Sequence, residues 1–113
     1  MIMPKYAAEQ EHVDATLEQL HAYQGLGHLR VRKRGSTLLI ESGPADDPVK
    51  HARLTRDAVS LWLLDVADHR DRWGPTGLRT TRPELIVALV EGFGWVLTDI
   101  AGENPERTSD PKY

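Results

Sequence analysis

HLRVRKRGSTLLIES, residues 28–42, is the stretch that decides the fold of this chain. Apolar and polar side chains alternate along both of its halves, which is the period of two typical of β-strands. Gly35 and Ser36 lie between the halves, and a two-residue loop with glycine first suits the type II′ turn of a hairpin. The stretch therefore predicts two antiparallel strands joined by a tight turn.

The turn also sets the register of the predicted hairpin, with Arg34 opposite Thr37 and Arg30 opposite Glu41. A slip by one residue would turn the arginines into the core, so the register is strongly specified. The expected apolar face consists of Leu29, Val31, Leu38 and Ile40. The expected polar face consists of Arg30, Arg32 and Arg34 with Thr37, Leu39 and Glu41.

Two helices are predicted, one on each side of the strands in the sequence. The first runs from Pro4 to about Tyr23, since proline suits a first helical turn and apolar residues recur at helical spacing. The second begins at TRPE, residues 81–84, which has the pattern of a capping box. Its apolar surface extends over most of the circumference, so we expect this helix to be the more deeply buried of the two.

Further strands are predicted at residues 49–56 and 59–66, followed by a charged turn and loop at 67–80, with a short edge strand near Arg72-Trp73 left open as an alternative. The whole pattern predicts an α+β two-layer sandwich with an N-terminal helix, about four antiparallel strands in a meander and a C-terminal helix. Residues 1–100 are expected to form a single domain, and the polar residues 101–113 a loose tail.

The pairing of the third and fourth predicted strands depends on their connection. A tight turn at Asp57-Ala58 places Trp62 opposite Arg53, on the same side of the sheet as the hairpin arginines, and Leu64 beside them. A longer or bulged connection would shift this register. On the tight register, Arg53 and Trp62 form either a cross-strand cation–π pair or part of a binding surface.

Composition places limits on the class of protein. The chain has 113 residues, no cysteine and a formal net charge of −3. Without cysteine there is neither a disulfide nor a thiolate metal site. No segment approaches the roughly 20 apolar residues of a membrane span, and MIMPKYAAEQ lacks the apolar run of a signal peptide, so we expect a cytoplasmic protein.

Charge is distributed unevenly along the chain. Residues 1–27 carry one base and four acids, residues 28–56 seven bases and three acids, and residues 57–113 six bases and ten acids. The middle segment is therefore +4 and the outer segments −3 and −4. Such asymmetry is typical of a polyanion site, but cationic strands neutralised by acidic helices give the same pattern.

Acidic residues and a histidine cluster after the fourth predicted strand. Asp65, Asp68, His69 and Asp71 offer the ligand types of a hard cation or of acid–base catalysis, although their spacing matches no specific metal motif. A charged β-turn has the same composition. No serine elbow, phosphate-binding glycine loop or HExxH motif is present, and no catalytic residue or cofactor is predicted.

Three segments, HLRVRKRG, HRDRWGPT and ELIVALVEGFGW, resemble short bacterial proteins that share an arginine hairpin, an H-x-x-R-W-x-P-T loop and a helix ending in FGW. The resemblance covers about residues 28–97 and carries no activity, so it transfers no catalytic residue. It implies a recurring loop, with Trp73 anchored against the sheet and Arg72 reaching outward. The loop residues are His69, Arg72, Trp73, Pro75 and Thr76.

The outer face of the sheet is the strongest candidate for a functional surface. Arginine and aromatic residues are enriched in protein interfaces, whereas nucleic-acid-binding domains usually have a pI above about 9 and this sequence has a pI near 5.9. The leading hypothesis is a non-catalytic module that binds itself, as a homo-oligomer, or a cognate protein, through this face or the second helix. The predicted binding residues are Arg30, Arg32, Arg34, Arg53, Trp62, Arg72 and Trp73.

Two other functions stay open at this point. Arg30, Arg32 and Arg34 could follow the phosphates of a nucleic acid while aromatic side chains stack on its bases. A metal-assisted hydrolase could use Asp65, Asp68 and His69.

Overall fold

A computed structural model of the chain describes residues 6–68 and 72–97. Five strands form one antiparallel sheet in the order β1-β2-β3-β4-β5, with a helix before it and a helix after it. This confirms the predicted α+β fold. The elements are α1 (Gln10–His21), β1 (Arg30–Arg34), β2 (Thr37–Ser42), β3 (Val49–Arg56), β4 (Trp62–Ala67), β5 (Trp73–Thr80), α2 (Arg82–Gly92) and a 3-10 helix (Gly94–Leu97).

Both helices cover the same face of the sheet. α1 contacts β1, α2 contacts β4 and β5, and the two helices contact each other. Their buried side chains join those of the strands in one hydrophobic cluster, which also includes Leu97 of the 3-10 helix. The opposite face of the sheet, called the outer face below, has no helix over it in the described part of the chain.

The hairpin of β1 and β2 has the predicted register. Arg34 pairs with Thr37 and Arg30 with Glu41, and Gly35 has the positive φ of +60° that the first loop position of the predicted turn requires. Leu38 and Ile40 are fully buried. The alternation of side chains therefore separates the core face from the arginine face as expected.

The predicted register of β3 and β4 is wrong. Arg53 pairs with Asp65, three residues beyond Trp62, because residues 57–61 form a longer connection than the tight turn at Asp57-Ala58. A shift by an odd number of residues exchanges the two faces of a strand. Trp62 and Leu64 consequently lie in the core, 2% and 1% exposed, and Leu63 lies on the outer face.

Most of the loop predicted at residues 67–80 is a fifth strand, which begins at Trp73, where the alternative prediction has a short edge strand, and continues to Thr80. β5 pairs with β4 at the edge of the sheet, where proline is tolerated. The ladder is interrupted by a bulge between Leu63 and Asp65, at which the Thr76 hydroxyl donates to the Leu64 carbonyl at 2.9 Å. Gly77 in this bulge has a φ of +82°, a conformation that favours glycine.

The start of α1 differs from the prediction, whereas α2 begins where it was predicted, at Arg82 after Thr81. α1 begins at Gln10, so residues 6–9 are not helical, and Pro4 lies outside the described residues. Glu9 is the N-cap, and its N–H donates to Nδ1 of His12 at 3.0 Å. At α2, Thr81 is the N-cap, but its hydroxyl makes no capping bond to the backbone, so this half of the predicted capping box is absent. The other half is present, because the Glu84 carboxylate accepts a hydrogen bond from the Thr81 backbone.

Residues 98–113, which include the predicted tail, lie outside the described residues. Within residues 6–68 and 72–97, no helix is long and apolar enough to cross a membrane.

A cationic groove on the outer face of the sheet

The outer face carries a shallow groove of about 420 Å³ across β1, β2 and β3, closed at one side by a side chain from β5. We call it the cationic groove. Its lining residues are Arg32, Arg34, Thr37, Leu39, Glu41, Lys50, Arg53 and Trp73.

The strand registers bring these side chains together. Arg32, Leu39 and Arg53 lie side by side on three adjacent strands. Lys50 pairs with Glu41, whereas Ala52 pairs with Ile40, so β3 has one extra residue, His51, at this point. This β-bulge keeps both Lys50 and Arg53 on the outer face, although a regular strand would place residues three apart on opposite faces.

Glu41 is the buried anion in the floor of the groove. Its side chain is 3% exposed, and Arg32 approaches it with Nη2 at 2.8 Å and Nε at 3.4 Å from its two oxygens. Arg30 lies at 3.9 Å from the same carboxylate. Burial of an unpaired carboxylate would be strongly unfavourable, so these arginines compensate it and Glu41 in turn holds Arg32 in place. The hydrogen bond that Arg32 donates to the Glu41 carboxylate raises the pKa of Arg32.

Arg53 is held in a similar way on the other side of the groove. Its Nε lies 2.9 Å from a carboxylate oxygen of Asp65, and its guanidinium lies over the Trp73 ring, 4.6 Å from the ring centroid. The expected cation–π partner of Arg53 was Trp62, which is instead approached by Arg56 at 5.8 Å. Trp73 therefore contacts the sheet as expected, but as part of a strand rather than a loop.

Arg34 and Lys50 are the groove cations without a carboxylate partner among the described residues. Counting Arg32 and Arg53 as well, the groove has four cations and the single anion Glu41, a sum of +3. The whole chain has a formal charge of −3. The groove thus concentrates positive charge on an otherwise acidic protein, and guanidinium forks of this kind bind carboxylates and phosphates.

The groove contains four of the seven predicted binding residues: Arg32, Arg34, Arg53 and Trp73. Arg30 does not line the groove, and its guanidinium donates to the carbonyl oxygens of Gly43 and Pro44. Trp62 is in the core, and Arg72 forms an ion pair with Asp68 at 3.3 Å. Lys50 was missed because no pattern in the sequence marks the bulge that turns it outward.

The predicted metal or hydrolase site is not assembled in the described part of the chain. Asp65 is paired with Arg53 and Asp68 with Arg72, while His69 and Asp71 lie outside the described residues. Residues 6–68 and 72–97 contain no group of three or more histidine, aspartate or glutamate side chains that could hold a metal ion.

A serine and a histidine that sequence reasoning did not pair form a hydrogen bond beneath the sheet surface. The Ser42 hydroxyl lies 2.7 Å from Nε2 of His51, and the His28 ring packs edge-on at 6.1 Å from the His51 ring. Such a pair resembles a nucleophile and its base, but both residues are only 1% exposed. The contact is therefore a buried polar link between β2 and β3.

Comparisons of the chain with protein-family models, curated proteins and solved structures give no match. The resemblance to short bacterial proteins stays a prediction, and the groove itself is the basis for a functional assignment.

Proposed function

We propose that the protein is a non-catalytic binding module whose cationic groove takes an acidic segment of a protein partner. The observation that carries this proposal is the convergence of four cations with Trp73 and Leu39 on one open surface. Arginine and tryptophan are the residue types that most often anchor protein interfaces.

The arginines of the groove are ordered before any partner arrives. Glu41 holds Arg32 and Asp65 holds Arg53, so these side chains lose less conformational freedom on binding than free arginines would. Each guanidinium keeps N–H donors that its carboxylate does not occupy. Arg34 and Lys50 add charge without a competing partner in the described residues. A carboxylate of the partner would therefore meet donors already in position.

The groove is preferred to the second helix as the binding surface. Leu85, Ile86 and Leu89 of α2 are fully buried in the core, and among its described residues only Val87 is a large hydrophobic exposed by more than a third, at 38%. An isolated exposed valine is ordinary on a protein surface. The apolar surface expected on this helix is thus largely used within the chain.

A protein partner suits the groove better than a nucleic acid. Single-strand binding relies on successive aromatic platforms, and the groove offers one tryptophan whose ring is already approached by Arg53. Arg30, one of the three arginines expected to follow the phosphates, does not line the groove and is bonded to the carbonyl oxygens of Gly43 and Pro44.

Fluorescence anisotropy tests the proposal with two probes of equal formal charge: a labelled peptide of aspartate, glutamate and leucine, and a labelled oligothymidylate. We expect the peptide to bind more tightly than the oligothymidylate. We expect Arg34→Ala to weaken peptide binding by about 10-fold or more, the loss of one charge-assisted hydrogen bond. Lys33→Ala is the matched control, because Lys33 is the adjacent exposed cation on the opposite face of β1.

Two results would overturn the proposal. One is tighter binding of the oligothymidylate than of the peptide, which would assign the groove to nucleic acid. The other is an equal loss of peptide affinity in Lys33→Ala and Arg34→Ala, which would mean that only net charge matters.

A further inference from the structure

The exposed side of α1 carries a row of acids that matches the cationic groove in charge. Glu11, Asp14 and Glu18 are exposed and have no cationic partner among the described residues. No lysine or arginine occurs between residues 6 and 29. We call Glu11, Asp14 and Glu18 the acidic face of α1.

We infer that the acidic segment taken by the groove is the acidic face of α1 from a second copy of this chain. The inference rests on the proposed function, and it names the partner. It follows from two complementary surfaces on the same molecule, one with a charge of +3 and one with three exposed carboxylates that have no cationic partner in the described part of the chain.

The spacing of the charges supports this pairing. Residues 11, 14 and 18 fall on one side of a helix and span about 10 Å along its axis. Arg32 and Arg34 are two residues apart on β1, about 7 Å, and Arg53 lies two strands from Arg32, about 9.5 Å. Carboxylates on successive turns of α1 can therefore each reach a different cation of the groove.

The position of the two surfaces requires that they belong to different copies. α1 packs on the core face of the sheet, whereas the groove lies on the outer face. One copy thus cannot place its own α1 in its own groove. Each copy presents the groove on one side and the acidic face on the other, so association is head-to-tail and extends into a ring or a short chain rather than a two-fold dimer.

Sedimentation velocity tests the inference with the full chain and two charge-reversal variants. The groove variant is Arg34→Glu with Lys50→Glu, and the helix variant is Asp14→Lys with Glu18→Lys; all four positions are exposed. We expect the wild-type sedimentation coefficient to rise with protein concentration at low salt and to fall to the monomer value at about 0.5 M salt, where exposed charges are screened.

The decisive sample is an equimolar mixture of the two variants. Each variant alone should sediment as a monomer, because like charges then face each other. The mixture should associate, since the acidic face of the groove variant meets an intact groove on the helix variant. Circular dichroism of each variant checks that the fold is retained.

A wild-type chain that stays monomeric at every concentration at low salt would overturn the inference, as would a folded pair of variants that fails to associate on mixing. The peptide experiment separates this outcome from a failure of the proposed function. If Arg34-dependent binding of the acidic peptide persists in a monomeric chain, the groove has an acidic partner other than a second copy.

Discussion

Replacing Leu64 and Leu63 one at a time by alanine tests which face of β4 lies in the core. The two leucines are neighbours in the same strand and undergo the same chemical change. Leu64 is 1% exposed and pairs with the fully buried Leu54, whereas Leu63 is 36% exposed on the outer face. The tight-turn register would reverse their roles and put Leu63 in the core.

The expected costs follow from burial. Truncation of Leu64 removes three carbons from the core, which costs about 2.4 kcal/mol at about 0.8 kcal/mol per buried methylene. The cavity left behind raises the loss in free energy of unfolding to about 3–5 kcal/mol. The side chain of Leu63 is about two thirds buried, and its truncation leaves no enclosed cavity. Leu63→Ala should therefore lower the free energy of unfolding by about 1.5 kcal/mol or less.

Urea unfolding followed by far-ultraviolet circular dichroism measures both losses. With a denaturant dependence of about 2 kcal/mol per molar urea, the unfolding midpoint of Leu64→Ala should fall by about 2 M and that of Leu63→Ala by less than about 1 M. A loss for Leu63→Ala equal to or larger than that for Leu64→Ala would refute the β3–β4 register, and with it the composition of the cationic groove.

Two further predictions concern pH and backbone conformation. Burial, followed by the charge of Arg56, lowers the pKa of His12 from its ordinary 6.5, so the unfolded chain binds more protons and stability is lost as pH falls below about 6.5. His12→Gln, which preserves an acceptor for the helix cap, should therefore lose less free energy of unfolding than the wild type between about pH 7 and pH 5 in urea titrations. An unchanged pH dependence would contradict this. Gly77→Ala, at a φ of +82°, should lower the free energy of unfolding by about 1–2 kcal/mol. Gly94→Ala, in open space without a positive φ, should change it by less than about 0.5 kcal/mol. Equal thermal unfolding midpoints for the two variants would contradict the assigned bulge.

The hairpin could be predicted because all its determinants are local. Alternation, the glycine at the turn and the arginines on one face lie within fifteen consecutive residues, from 28 to 42, and agree with each other. The α+β class was predictable for the same reason. The start of α1 was harder to predict, because residues 6–9 are compatible with a helix by propensity. The chain instead uses Glu9 as the N-cap, and the Ala8 N–H donates to the Gly35 carbonyl in the hairpin turn.

The missed features depend on tertiary pairing. Gly74, Pro75 and Gly77 argue against a strand when considered alone, yet β5 forms as an edge strand that needs few ladder bonds. The length of the connection at residues 57–61 decides that Trp62 faces the core, which leaves Trp73 as the tryptophan beside the arginines. Every residue of the groove except Lys50 was therefore predicted for the polar face or the binding surface, but the register that brings Arg53 and Trp73 together was not.

Because of the bulge at His51, β3 should tolerate the loss of one residue at that position better than elsewhere along the strand. Deleting His51 would restore a regular ladder and leave Lys50 outside and Ala52 inside, at the cost of the bond to Ser42. Deleting Arg53, in the regular part of the strand, would move every side chain on one side of the deletion to the opposite face of the sheet. Related sequences that differ by a single-residue gap in this strand should therefore carry it at the bulge, and in an alignment such a gap would mark the place where the groove begins.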